Sequence, residues 1–370
     1  MHKFMDMMSS DVEGLDMNYI LKNKVLHEDL INIINSNVPL KKLFNSNILI
    51  TGATGLIGSL LIKMFVYCNQ FKNGNIKIIA VCRNVEKARN VLDDIIERED
   101  VELIIGDINN PIEVRNNVDY IIHGANITNS RLMIEKPVET ILTAINGTKN
   151  ILNLAKEKNT KSVVYLSSME VYGSFGKKSV IVNENKLGYI DPIKIRSNYP
   201  ESKRMCENLC VAYNSEYDVP VKIARLAQTF GAGILPGENR VFAQFARSAI
   251  KNENIVLHTK GKSEGNYCYT SDVICALIIL LISGKNGEAY NISNEKNHIS
   301  IGNMAKMVAK KFGNGQIKVV FDIPKSNVYG YATDTKIKLS TKKIQNLGWN
   351  PKIDLEEMYR RLISSMERNK

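Results

Sequence analysis

Six short apolar runs, most of them separated by longer stretches of helical spacing, predict a doubly wound α/β fold. A parallel sheet is flanked by helices and followed by a smaller C-terminal α/β lobe. The runs are NILIT, IKIIAVC, VELIIG, VDYIIHG, KSVVYLS and VPVKIARL, all of strand length and rich in Val and Ile. Intervening segments such as LIGSLLIKMFVY and PVETILTAINGTKNILNLAKEK repeat apolar residues at three- and four-residue intervals. A third observation is TGATGLIG, residues 51–58, directly behind the first run. Three glycines in eight residues cost backbone entropy and need a reason.

In chain order, residues 1–45 form an extension whose EDLINIINS segment has helical spacing, suited to packing on the core or a neighbouring subunit. Residues 46–226 form the sheet domain, and 227–370 mainly the lobe, with segments returning to the sheet. Between a strand and a helix the glycines have separate tasks. Gly52 permits the tight turn, Gly55 lets a pyrophosphate reach backbone N–H groups, and Gly58 lets the helix pack closely on its strand. The helix N-terminus then favours the anion. This is the dinucleotide-binding arrangement of a Rossmann fold. The second strand ends in AVCRNVEKA, with Arg83 where an acidic residue would accept the ribose 2′-hydroxyl of NAD. A guanidinium suits a 2′-phosphate, so the expectation tilts towards NADP, with NAD as the alternative.

Two later stretches carry chemistry: YLSSMEVYG (165–173) and YPESK (199–203). Tyr199 and Lys203 are four residues apart, hence on one helix face. A nearby ammonium favours the phenolate and lets a tyrosine exchange protons near neutral pH. In this order, behind TGxxGxxG, the motifs resemble those of the extended short-chain dehydrogenases/reductases, and among them the NAD-dependent epimerase/dehydratase family that acts on nucleotide sugars. The resemblance runs from about Asn47 to Glu357 and includes LGWNPKIDLEE, similar to that family's LGWxP segment.

The resemblance implies catalytic roles for Ser168, Tyr199 and Lys203. Tyr199 would exchange the proton of a sugar hydroxyl while hydride moves to or from the nicotinamide. Ser168 would hydrogen-bond the same oxygen, and Lys203 would hold the nicotinamide ribose and depress the Tyr199 pKa. The resemblance also places Thr54, Leu56 and Ile57 with Gly52, Gly55 and Gly58 around the cofactor, Asp107 and Ile108 at the adenine, and Ala125 on the nicotinamide side.

For the reaction, family dehydratases read T-D-E-V-Y-G where this chain has Ser168, Met169 and Glu170. Met169 cannot protonate a leaving hydroxyl. Glu170 keeps the carboxylate used to remove a proton beside a carbonyl, and similar S-E-V-Y-G segments occur in family decarboxylases. The first expectation is therefore epimerisation through a keto intermediate. Alternatives are NADPH-dependent reduction of a nucleotide-linked keto sugar, or decarboxylation or dehydration using Glu170; a non-catalytic NAD(P)-binding protein comes last. The substrate side departs from the family pattern. GNYCYTSD puts Gly265 at an arginine position, GYATD reaches Asp334 without a preceding arginine, and Ala144 and Gln228 replace asparagines. Arg240 in GENRVF resembles the family's GRVV segment. With Gln228 it is an expected contact to a nucleotide-linked sugar or related small anion.

Composition excludes several classes. Hydrophobic and charged contents of 44% and 24% are those of a soluble globular protein. The net charge is +11, and from Lys296 onward 15 Lys and Arg face 6 Asp and Glu. These lysines are dispersed, without aromatic interleaving, so a solvated basic face is expected rather than nucleic-acid binding. The start lacks the apolar core of a signal peptide, and VICALIILLI from Val273 is too short to cross a bilayer, so no membrane partner is expected. Six scattered cysteines point to the reducing cytoplasm. Cys206 and Cys210 in CENLC share a helix face but make only half a metal site, so no metal is expected. A homodimer is the expected assembly.

Overall fold

The apolar residues of the first strands divide between the two faces of one sheet. Along β1 (Asn47–Thr51), Ile48 and Ile50 enter the core on one face and Leu49 enters the core on the other. Along β2 (Lys77–Cys82), Ile78 and Ala80 separate from Ile79 and Val81 in the same way. Strands buried on both faces need helices on both, which the intervening segments supply. The computed structural model describes residues 23–176, 179–235, 237–324 and 335–367.

Helix α1 (Lys24–Ile34) precedes β1 and is capped by the Asn23 side chain, which accepts from the Leu26 N–H. It buries Val25, Leu26, Leu30, Ile33 and Ile34, a helical-period stripe. Its buried Asp29 accepts hydrogen bonds from the Tyr269 hydroxyl at 2.6 Å and from Arg361 at 2.9 Å, so the extension is fastened to residues more than two hundred positions away. After β1 come α2 (Leu56–Lys72), β2, α3 (Val85–Leu92), β3 (Val101–Ile105) and β4 (Tyr120–His123). Next are α4 (Ser130–Glu135), α5 (Pro137–Glu157), β5 (Ser162–Ser168), the short β6 (Val180–Val182), α6 (Asn198–Tyr217) and β7 (Val221–Leu226).

The lobe follows: β8 (Gln228–Phe230), α7 (Val241–Lys251), β9 (Ile255–Leu257) and β10 (Glu264–Tyr269). Helix α8 (Thr270–Ser283) and β11 (Ala289–Ile292) then return the chain to the main sheet. That sheet has seven strands in the order β11-β7-β5-β4-β1-β2-β3, all pairs parallel. The strand order reverses between β1 and β4, and ligands of such sheets bind at the carboxyl ends beside this reversal. The apolar run from Val273 forms most of α8, buried against the sheet and α1; among the described residues no helix is long and apolar enough to cross a membrane.

The rest of the lobe comprises β12 (Asn294–Ser300), α9 (Ile301–Phe312), β13 (Val319–Phe321), β14 (Ile337–Leu339), α10 (Lys342–Gln345) and α11 (Leu355–Glu367). A small sheet orders β12-β10-β8 around its own core, where Phe230 and Phe242 stack at 4.5 Å between ring centroids. The LGWNP segment ties this part to α8: Trp349 donates its indole N–H to the Asp272 carbonyl, and the Asp272 carboxylate accepts from the Lys352 and Ile353 N–H groups.

Candidate active site

Gly52 follows β1 at a φ of +72°, a conformation open to glycine. A Cβ there would lie 2.9 Å from the Ala125 nitrogen, so the turns after β1 and β4 touch. A Cβ on Gly58 would lie 2.3 Å from the Gly52 carbonyl oxygen, which is why α2 can begin so close to its strand. Gly55 precedes α2 without a side-chain cap and leaves the first turn of N–H groups to a ligand. Thr54, Leu56 and Ile57 are half-buried in this turn. Thr51 joins the two turns, its Oγ accepting from the Gly124 and Ala125 N–H groups at 3.2 and 3.1 Å. These features fit a dinucleotide pyrophosphate.

Arg83 is exposed just past β2, ahead of the Asn84 cap of α3. Asp107 closes a tight turn after β3 by accepting from the backbone and side-chain N–H groups of Asn109. Ile108 is buried against Gly147 of α5, where a Cβ would lie 2.3 Å from its Cδ1.

The catalytic candidates converge at the end of β5. Ser168 terminates the strand, and its Oγ accepts from the Glu170 N–H at 3.2 Å. Tyr199 and Lys203 lie one turn apart on the buried face of α6. Lys203 donates to the Leu166 carbonyl at 2.6 Å, with its Nζ 4.6 Å from the Tyr165 ring centre and 5.9 Å from that of Tyr199. Burial pushes the Lys203 ammonium down to about 8. Burial also holds neighbouring His123 neutral, its pKa down at about 3.

The expectation that an ammonium lowers the Tyr199 pKa is not met by the protein alone. Burial of the phenol raises it, and the Glu170 charge raises it further. A side-chain hydrogen bond with Ser168 and the charges of Arg196 and Arg240 pull in the other direction without prevailing. Lys203 is engaged with the Leu166 carbonyl, and desolvation of the buried phenol is the largest influence on Tyr199.

Ser168 and Glu170 thus share one turn at the end of β5, Arg196 links Glu170 to the Tyr199 ring at 5.9 Å, and Lys203 lies at the same distance from that ring. Gln228 opens β8 opposite Tyr267, half-buried, and Arg240 precedes α7 with its guanidinium on Glu238 at 2.6 Å. Met169 packs with Val171, Tyr172, Val182 and Leu339 in a separate apolar cluster. Gly265 lies in β10 with open space where a side chain would begin. Asp334 lies outside the described residues. Cys206 and Cys210 are buried in α6, the former donating to the Ala144 carbonyl.

Arg196 was not singled out from the sequence. It lies in a single 3₁₀ turn, Ile195–Ser197, and its Nη2 contacts the Glu170 carboxylate oxygens at 3.0 and 3.1 Å. The only available signal is an arginine three residues before the tyrosine in IRSNYPESK. Arg204 was also missed; it bonds the Val171 and Gly188 carbonyls and braces the turn that carries Glu170.

A sequence model of the NAD dependent epimerase/dehydratase family matches residues 48–293. UDP-glucuronic acid decarboxylase 6 of Arabidopsis thaliana is 30% identical over 323 residues, covering 85% of this chain and 88% of that protein. UDP-glucose 4-epimerase of Thermotoga maritima, solved with UDP-glucose, shares the fold at a TM-score of 0.72 and 21% identity, covering 87% of this chain and 99% of that one. UDP-glucuronic acid 4-epimerase of Bacillus cereus, solved with UDP-glucuronic acid and NAD, does so at a TM-score of 0.70 and 21% identity, covering 88% and 100%.

Proposed function

Because this chain belongs to the NAD-dependent epimerase/dehydratase family, we propose that it oxidises C4 of a UDP-linked uronic sugar, lets the carboxylate leave as carbon dioxide, and reduces the C4 ketone again. The observation that carries this reading is the chain of contacts from Ser168 to Glu170 to Arg196 and on to the Tyr199 ring, with Met169 packed in an apolar cluster instead. Elimination of a hydroxyl needs an acid at that second position, whereas loss of carbon dioxide from a β-keto acid does not.

A bound nicotinamide dinucleotide supplies the hydride acceptor and donor for C4 and, when oxidised, a positively charged ring. Its pyrophosphate would rest on Gly52, Thr54, Gly55, Leu56, Ile57 and Gly58, its adenine near Asp107 and Ile108, and its nicotinamide end near Ala125, Tyr199 and Lys203. Lys203 has three N–H donors and gives one to Leu166, which leaves two for the ribose hydroxyls. Arg83, exposed just past β2, would suit an adenosine 2′-phosphate, which supports use of NADP besides NAD.

As the phenolate, a form that the positive charge of an oxidised nicotinamide would favour, Tyr199 Oη would take the C4 hydroxyl proton and later return it, while Ser168 Oγ hydrogen-bonds the same oxygen. After carbon dioxide leaves, C5 must gain a proton, and Glu170 is the nearby acid–base group on the Ser168 turn. Gln228 and Arg240 contact the substrate from the lobe. The C4 epimerisation of such sugars is the second reading, because Ser168 and Tyr199 suffice for redox chemistry at C4. A homodimer is supported by α5 and α6, which pack together and expose Val138, Leu142, Met205 and Val211.

Incubation with UDP-glucuronate and NAD in D₂O tests the assignment. The expected product is a UDP-pentose with solvent deuterium at C5, together with carbon dioxide. A C4-inverted uronic sugar without deuterium at C5 would establish the second reading instead. No turnover of UDP-glucuronate would defeat both.

A further inference from the structure

The ion pair between Arg196 and Glu170 is under-used. A guanidinium has five N–H donors arranged for bidentate recognition of a carboxylate. Arg196 spends only Nη2 on Glu170, at 3.0 and 3.1 Å, and makes no other hydrogen bond among the described residues. The two side chains remain 25% and 35% exposed. The pair is also adjacent to the chemistry: the guanidinium carbon is 5.9 Å from the Tyr199 ring centre, and both charges act on the Tyr199 hydroxyl, with opposite signs.

We infer that Arg196 is the residue that recognises the carboxylate of an acidic sugar, and that it discriminates such a sugar from its neutral counterpart. This rests on the reading above, in which the sugar reacts at the Tyr199 hydroxyl. A carboxylate on C5 lies two bonds from C4, so a sugar whose O4 meets Tyr199 brings that carboxylate into the immediate surroundings of the phenol. Those surroundings already hold one carboxylate, that of Glu170, and the cation that binds it. The unspent N–H groups of Arg196 give a second carboxylate its partner, while the contact through Nη2 orients the guanidinium.

Without Arg196, a substrate carboxylate would face Glu170 as a like charge in a half-buried place, which disfavours binding. A hydroxymethyl group at C5 brings no charge and gains little from the arginine. Arg196 therefore acts on the choice of substrate more than on the proton transfer. Arg240 is the other guanidinium felt by Tyr199, but two of its nitrogens are held by Glu238 at 3.0 and 2.6 Å, so it has less to offer.

The test is calorimetric titration of the NAD-saturated protein with UDP-glucuronate and with UDP-glucose, for the otherwise wild-type protein, Arg196→Met and Arg196→Lys, each also carrying Tyr199→Phe so that binding is read without turnover. Arg196→Met should weaken UDP-glucuronate by roughly 10- to 100-fold, the range of a charge-assisted contact, and leave UDP-glucose within about 3-fold. Arg196→Lys should recover part of the loss, since it keeps the charge and gives up the fork. Equal losses for the two ligands would mean a general structural role, and an unchanged UDP-glucuronate affinity would remove Arg196 from recognition; either overturns the inference. A protein with Arg196 intact that binds neither ligand would overturn the nucleotide-sugar reading itself, an outcome distinct from both.

Discussion

Two arginine–glutamate pairs flank the end of β5, and they are built differently. Below the strand, Arg225 of β7 and Glu207 of α6 are 7% and 10% exposed and meet at 2.6 Å. Every nitrogen of Arg225 is engaged, with Glu207, the Tyr172 hydroxyl and the Glu184 carbonyl, and Glu207 also accepts from Ser167. Beside Tyr199, Arg196 and Glu170 are several times more exposed and share a single nitrogen. A buried charge is tolerated only when its bonds are complete, so the first pair belongs to the frame that aligns β5 with α6. A pair with donors to spare, next to a reactive hydroxyl, is available to a ligand.

The sharpest way to separate the two environments is to remove the hydroxyl that the open pair surrounds. Tyr199→Phe keeps the ring and deletes the proton carrier. Turnover of UDP-glucuronate should fall by roughly 10²–10⁴-fold, while cofactor affinity measured by fluorescence titration holds. Near-wild-type turnover would show that proton transfer at Tyr199 is not part of the reaction.

Next in size is the closed pair. Arg225→Met strands the Glu207 carboxylate in a dry site, and a loss of about 3–5 kcal/mol is expected from denaturant unfolding. Adding Glu207→Leu should restore much of it, because the uncompensated charge is then gone. If the single and double variants are equally unstable, the pair matters through packing and the contrast with Arg196 weakens.

A third arginine extends the series. Arg83 is exposed and makes no hydrogen bond or ion pair among the described residues. Arg83→Asp should weaken NADPH by about 2 kcal/mol more than NADH if the guanidinium meets a 2′-phosphate. Equal effects on the two cofactors, titrated side by side, would remove it from the site.

These residues also mark how far the sequence could be read. The main-sheet strands are legible because burial on both faces makes NILIT and IKIIAVC near-continuous apolar runs of strand length, and Gly52 because its positive φ and its contact with Ala125 admit no side chain. Ser168, Tyr199 and Lys203 are legible as motifs at fixed spacing. Arg196 is not, because its meaning lies in a contact with Glu170, 26 positions away, across a 3₁₀ turn without periodicity. The parallel pairs of β6 with β14 and of β9 with β13 are missed for a related reason: three-residue strands carry too little pattern, and their partners are distant. For Tyr199 a charge four residues along is visible in a sequence and burial is not, so the sequence points to a lowered pKa where the protein alone raises it.

The smallest effect expected is at Gly265, where the family resemblance leads to an arginine and GNYCYTSD has glycine. Gly265 lies within β10, paired with Ile299 of β12, buried, and without the positive φ that would demand glycine. A Cβ built there meets nothing within 4 Å. A glycine in a strand that needs none of its freedom leaves the unfolded chain more entropy than alanine would. Gly265→Ala should therefore stabilise the protein by about 0.4–1 kcal/mol, seen as a small rise in Tm. The contrast with Arg225 is direct, since there every side-chain nitrogen is held and here there is no side chain to hold. A fall in Tm would mean that the space beside β10 is filled in solution, and that the missing arginine has been replaced by packing rather than by an opening.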